Sequence, residues 1–199
     1  MVMKGLNFFQ IPYNGDRVNE ICMYVRELKK WNQYMNLTGL KELDLIVSEL
    51  LYDAFFLCGY MKEMKTVLDL GSGAGILAIP ITILSENLKI CSVDKSLKKI
   101  QFQRHIKRLV SLKNIVPVHD RAEVLEPMET DALIAKGFGS VEEILGKGGK
   151  HIRPEGYAFI LKGKNEEPIE YPGFKLNNVI QYLLPVSDKA YRLFIYKKY

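Results

Sequence analysis

Apolar side chains at Ile21, Val25, Leu28, Trp31 and Met35 recur at three- and four-residue intervals, while Arg26, Lys29, Lys30 and Gln33 fall between them. This spacing predicts a helix from about Asp16 that buries one face and wets the other. Asn36-Leu37-Thr38-Gly39 interrupts it, and Thr38 reads as the N-cap of a second helix over about Lys41 to Leu57. The first fifteen residues, MVMKGLNFFQIPYNG, carry Gly, Pro and Asn and read as irregular chain. Residues 1–60 are therefore expected to form a small N-terminal helical cap.

From residue 61 onward the pattern changes. VLDL (67–70), KICSVD (89–94), IVPV (115–118), DALIAK (131–136) and YAFILKG (157–163) read as strands. Helices are expected from about Gly75, from about Leu97 to Val110, and from about Ser140. Two late strands, about Asn178 to Leu183 and Arg192 to Lys197, are joined by a Pro-containing link too short for a crossover helix, so that pair is expected to be antiparallel. The alternation predicts an α/β fold over residues 61–199: a doubly wound, Rossmann-like, seven-stranded and mostly parallel sheet with an antiparallel last strand.

Composition narrows the class. With 199 residues, 48% of them hydrophobic, the chain can bury one sizeable core, and 26% charged residues argue against disorder. Cys22, Cys58 and Cys91 are scattered and form no C-x-x-C, which argues against a disulfide framework or a zinc site, and no metal is expected. Reduced thiols fit a cytoplasmic protein. No apolar run reaches the roughly 18 residues that span a bilayer, and the N-terminus lacks a basic patch followed by an apolar core, so neither membrane attachment nor a signal peptide is expected. The net charge of +5 permits a nucleic-acid partner without demanding one. A monomer is the expected state.

The chemistry concentrates in Asp69-Leu70-Gly71-Ser72-Gly73-Ala74-Gly75, at the end of the first strand. In a doubly wound sheet ligands sit beyond the C-terminal strand ends, and Gly71, Gly73 and Gly75 let the backbone turn tightly against one. A dinucleotide loop reads G-x-G-x-x-G and receives a pyrophosphate. This one reads G-x-G-x-G behind an acid. Asp69 would repel a pyrophosphate and favour the ammonium of S-adenosylmethionine, directly or through water. Asp94 ends the second strand and is placed to accept hydrogen bonds from both ribose hydroxyls, although dinucleotide enzymes use an acid there too. Loop, Asp94 and antiparallel ending together favour a class I S-adenosylmethionine-dependent methyltransferase. Structural roles stay open beside these: a tight turn for the glycines, a helix-capping or loop-bonding role for Asp69, and an ordinary strand-end acid for Asp94.

Lys30-Trp31-Asn32, Tyr34 and Asn36-Leu37-Thr38 resemble the K-W-N-x-x-x-N-L-T segment of the RsmG (GidB) family. The resemblance continues through LDLGSGAGILAIPI, VDKSLKKIQF, PVHDRAE, IAKGFGSV and FILKGK, covering roughly residues 20 to 165. It implies a methyltransferase acting on N7 of a guanine in 16S ribosomal RNA of the small subunit, near the decoding site. It also implies residue roles. Gly71 and Ile76 would line the methionine and ribose side of the pocket, Ala122 and Glu123 would bracket the adenine, and Lys136 would face the active site. The chain departs from the family in having Lys136 for its usual Arg, and Glu49 and Leu50 within an R-H-x-x-D pattern of which only Asp53 remains. Lysine keeps the charge and loses the planar fork.

Guanine N7 carries an in-plane lone pair and no proton, so its methylation needs alignment rather than a general base. The segment Ala135-Lys136-Gly137-Phe138 lacks the N/D-P-P-Y/F/W pattern of exocyclic-amine enzymes, and no nucleophilic cysteine stands there for C5 chemistry. Lys136 is expected to contact the cofactor carboxylate or guanine O6. Phe138 either stacks near the base or packs in the core. Lys95, Lys98 and Lys99, within a run that also holds Arg104, Lys107 and Arg108, and Lys162 and Lys164 after the fifth strand, are the candidate RNA contacts; a solvated helix face is the alternative for the run. Trp31 reads as an anchor between cap and sheet more than as a base-stacking residue. Competing functions are methylation of another RNA, a protein or a small molecule, an RNA-binding module without catalysis, and a nicotinamide enzyme.

Overall fold

The computed structural model describes residues 1–185 and 190–199. Seven strands form one sheet: β1 (Thr66–Leu70), β2 (Lys89–Asp94), β3 (Ile115–His119), β4 (Thr130–Lys136), β5 (Ile152–Gly163), β6 (Phe174–Leu183) and β7 (Ala190–Lys198). Their order is β3-β2-β1-β4-β5-β7-β6. The pairs among β1 to β5 are parallel, whereas β7 runs antiparallel between β5 and β6. The expected sheet is therefore observed, with the last strand inserted between its two predecessors. β6 starts at Phe174, ahead of the expected Asn178. Part of the link between the late strands, residues 186–189, lies outside the described residues.

The inner strands β1, β2 and β4 are buried on both faces, which is why they read as nearly continuous apolar runs, whereas the edge strand β6 is largely exposed. Val67, Ile90, Ala132, Ile134, Phe159 and Ile195 point to one face; Leu68, Leu70, Val93, Leu133, Ile160 and Phe194 point to the other. The first face is covered by α5 (Ala78–Leu84), α6 (Leu97–Leu109) and the N-terminal helices. The second is covered by α7 (Val141–Gly148), whose start is fixed by a capping box between Ser140 and Glu143.

The N-terminal helices share a single apolar cluster with the sheet face that they cover. The long helix α2 (Gly15–Met35) follows α1 (Val2–Phe8), so the opening segment is not irregular. Val2 and Leu6, four residues apart, bury one side of α1, and its Gly5 lets the backbone close on Tyr52 and Phe55 rather than breaking the helix. Asn14 caps α2 by accepting from the Arg17 N–H at 2.9 Å. Trp31 stacks on His105 with ring centroids 5.0 Å apart and meets Phe102 edge-on at 5.4 Å, so it anchors α2 to α6.

Thr38 does not cap the second helix. Its N–H donates to Oδ1 of the buried Asn32 at 2.8 Å, and Asn32 Nδ2 donates to the Leu40 carbonyl at 2.8 Å. Asn32 thereby satisfies the turn from inside, and helix starts only at Leu43. From there α3 (Leu43–Ile46), a π-helical turn (Val47–Leu51) and α4 (Tyr52–Cys58) follow one another directly.

Candidate functional site: the glycine turn and its cleft

Between β1 and α5 the chain passes through Gly71, Gly73 and Gly75, each with positive φ, and regular helix begins at Ala78 rather than near Gly75. A Cβ at Gly71 would meet the Phe138 ring at 2.3 Å, and one at Gly75 would meet Ile79 at 2.6 Å. Left-handed backbone and close neighbours together make side chains costly at both positions.

The turn is gripped by side chains on its underside. Asp94 Oδ2 accepts from the Gly73 N–H at 2.9 Å, and Oδ1 accepts from the Ser96 N–H at 2.8 Å. Gln103, fully buried on α6, donates from Nε2 to Ser72 Oγ at 2.8 Å and to the Gly73 carbonyl at 2.7 Å. Its Oε1 accepts from Ser92 Oγ on β2 at 2.5 Å. From the cap, the Tyr24 hydroxyl donates to the Ala74 carbonyl at 3.2 Å. Sequence reasoning missed Ser72, Ser92, Gln103 and Tyr24. The available signal was a polar residue on the apolar stripe of α6, one turn from Ile100 and Ile106.

Asp69 lies beneath the turn. It is 2% exposed and accepts from the Ala78 N–H at 3.2 Å. It shares a sheet face with Val67 and stands beside Ser92 in register. Burial pushes its carboxyl up to about 7, against the Ala78 N–H and with a smaller push from Asp94. The loop-bonding role is the one its geometry displays.

Above the turn is a cleft of about 570 Å³. Gly71, Asp94, Lys95, Lys98, Lys99, Ala122, Glu123 and Phe138 line it, as do Asn36 of the cap and Lys147 of α7. Ala122 and Glu123 form a short turn held from behind, where the buried His151 Nε2 donates to the Ala122 carbonyl at 2.9 Å and Lys150 Nζ to the Glu123 carbonyl at 2.9 Å. The Phe138 ring packs on Gly71, with Lys147 Nζ 5.4 Å from its centroid. Ile76 does not line the cleft; it packs against the apolar cluster on the cap side.

Lys136 belongs to a second cavity of about 580 Å³, which meets the first at Gly137. Its ammonium forms an ion pair with Asp53 Oδ2 and donates to the Glu49 carbonyl at 2.8 Å. The Tyr182 hydroxyl donates to Asp53 Oδ1 at 2.6 Å, and burial followed by the Asp53 charge pushes that hydroxyl's pKa upward. The Asp kept from the family's cap pattern thus balances the Lys that replaces its Arg. Lys162 also lines this cavity, donating to the Gly139 carbonyl at 2.6 Å and pairing with Glu166 at 2.7 Å, whereas Lys164 is exposed and lines neither cavity.

Comparison with known proteins decides the family. The family model described as "rRNA small subunit methyltransferase G", GidB, matches residues 17–191. The chain belongs to this family. It is 29% identical over 187 residues to the Ribosomal RNA small subunit methyltransferase G of Legionella pneumophila (strain Lens), covering 93% of this chain and 88% of that protein. It is 27% identical over 206 residues to the protein of the same name from Geobacter metallireducens, covering 98% and 94%. In fold it is similar to a SAM dependent methyltransferase from Aquifex aeolicus, with a TM-score of 0.58, 17% identity, and coverage of 75% of this chain and 92% of that one. The chain is thus a methyltransferase of the small-subunit ribosomal RNA family. Among the described residues no helix is long and apolar enough to cross a membrane, and no cluster of three His, Cys, Asp or Glu stands ready for a metal. Cys22, Cys58 and Cys91 are free thiols.

Two outcomes follow from the grip on the turn. In Gln103→Leu the Ser72 and Ser92 hydroxyls and the Gly73 carbonyl lose their partner; each such buried group costs about 1–3 kcal/mol. We expect stability to fall by at least about 3 kcal/mol in urea titration, with faster amide exchange across residues 71–75. Asp69 holds its proton in the folded chain at pH values where the unfolded chain has released it. Its contribution to stability is therefore lost as pH rises from about 4 towards about 7. Asp69→Asn keeps an acceptor for Ala78 and removes the titration, so stability measured from about pH 4 to about pH 8 should decline less with pH than in the wild type. Equal slopes would contradict the burial of this carboxyl.

Proposed function

We propose that this protein transfers a methyl group from S-adenosylmethionine to N7 of a guanine in 16S ribosomal RNA near the decoding site, leaving S-adenosylhomocysteine. The observation that carries the reading is the pairing of two cavities across Gly137: one lined by Gly71 of the turn and by Asp94, the other walled by Lys136 and Lys162. The first suits the cofactor and the second a nucleobase.

The cofactor supplies an electrophilic methyl group. This chain's residues bind and orient. Asp94 is nearly buried, and a carboxylate with four acceptor positions can keep the Gly73 and Ser96 N–H groups while taking ribose hydroxyls. Ala122 and Glu123, pinned by His151 and Lys150, form the wall for the adenine. Gly71 gives the methionine portion its close approach to the backbone. Asp69 reaches that portion only through the turn it supports, and Ile76 through the packing behind it. Phe138, whose ring lies against Gly71, stacks near the base in this reading.

Lys136 acts as a fixed positive wall. Its ammonium is fixed by Asp53 and the Glu49 carbonyl, a position that suits attraction of guanine O6. N7 methylation requires no general base. Lys95, Lys98 and Lys99 offer phosphate contacts on the cleft rim, while Lys162 holds the Gly139 loop and Lys164 is free to meet the backbone farther out.

The test is methyl transfer to small-subunit RNA that lacks modification, with mapping of the modified atom. The expected product is N7-methylguanine, with kcat flat between about pH 6 and about pH 8. Asp94→Ala should weaken S-adenosylmethionine binding roughly 10- to 100-fold, from the loss of hydrogen bonds to a charged group. Methylation of an exocyclic amine, or of no RNA at all, would overturn the reading.

A further inference from the structure

The W-N-x-x-x-N-L-T segment is built more elaborately than a helix end requires. Trp31 is stacked on His105, and the buried Asn32 spends its amide on the turn backbone at Thr38 and Leu40. Asn36 then leaves the helix in the left-handed conformation, at φ 47° and ψ 59°, and lines the cleft together with Lys98 and Lys99. Between these fixed points stands Tyr34. It is 83% exposed, the most exposed large apolar side chain among the described residues. Lys30 lies one turn behind it on the same helical face, with its side chain 70% exposed and its ammonium 3.7 Å from Glu27 Oε1, a loose surface pair that a phosphate can replace. A single exposed ring is ordinary on a protein surface. This one sits on backbone that Trp31 and Asn32 hold rigid, two residues from the cleft lining.

We propose that Tyr34 is a stacking platform for an unpaired RNA nucleotide that flanks the methylated base, with Lys30 set beside it for the adjoining phosphate. The inference rests on the RNA substrate argued above and names how that substrate is held. Two observations favour RNA over a protein partner. The β2–α6 wall of the same cleft contributes Lys95, Lys98 and Lys99, and its single acid, Asp94, is turned inward onto Gly73 and Ser96. The net charge is +5. Trp31 cannot serve in its place, because both of its ring contacts are made to α6.

The experiment compares wild type, Tyr34→Ala, Tyr34→Phe and Tyr34→Leu. One readout is the affinity for an unpaired oligoribonucleotide matching the methylated loop; the other is steady-state methylation of unmodified small-subunit RNA, naked and assembled. Stacking of one base predicts that Tyr34→Ala weakens RNA binding and raises the RNA KM by roughly tenfold. Tyr34→Phe should retain most of the affinity and Tyr34→Leu should behave like Ala, with S-adenosylmethionine affinity, kcat and melting temperature unchanged in all three. Unchanged RNA affinity in Tyr34→Ala, or full activity in Tyr34→Leu, would overturn the proposal. So would a defect confined to assembled subunits, which would place a protein against the ring. A wild-type chain that binds the oligoribonucleotide through Tyr34 yet methylates no ribosomal RNA would instead overturn the functional reading and keep the stack.

Discussion

Everything at the ligand end of the sheet depends on one buried grip, the Gln103 amide and Asp94 carboxylate holding the turn Gly71–Gly75. Three glycines in left-handed conformations are free to take many shapes, and that freedom costs entropy when one shape is chosen. Here the choice is made in advance. Gln103 takes the Ser72 hydroxyl and the Gly73 carbonyl, Asp94 takes the Gly73 N–H, and Asp69 takes the start of α5. A ligand entering the cleft meets a surface already ordered, so its binding energy is not consumed in folding the loop.

The cap is part of this arrangement. It contributes Tyr24 to the turn, Asn36 to the cleft and Asp53 to Lys136. Asp53 is fully buried, and it is tolerated there because Lys136 and Tyr182 satisfy it from the sheet side. Removal of Lys136 would strand the Asp53 charge in the core, which ties the register of the cap against β4 to the same ion pair that shapes the second cavity. The apolar cluster running unbroken from α1 through the sheet makes the same point in packing terms.

Much of this was legible in the chain. Strand positions follow from apolar runs such as VLDL and KICSVD, because strands covered on both faces need apolar residues throughout. The glycine turn and Asp94 follow from their place at strand ends. Asn32 was hidden because a buried amide serving a turn looks, in sequence, like any polar helix residue. Thr38 looked like a cap for the same reason: its neighbours permit one, and only the folded Asn32 claims its N–H. Asp69 illustrates a different limit. An acid at the end of an apolar strand signals chemistry, but the periodicity that puts it on Val67's face also puts it under the turn. Lys136 was placed at the right strand end, yet its partner Asp53 is more than eighty residues earlier, and contacts of that span have no local signature. The order β5-β7-β6 was unreadable because two strands joined by a short link pair in either order along an edge.

The most direct test of a preformed turn is a crystal structure with S-adenosylmethionine soaked into the free protein's crystals, compared with the free form. The account predicts the ribose on Asp94, the adenine against Ala122, and the backbone of residues 71–75 displaced by less than about 1 Å. A turn that refolds around the ligand and abandons its bonds to Gln103, or a cofactor bound away from Asp94, would contradict it.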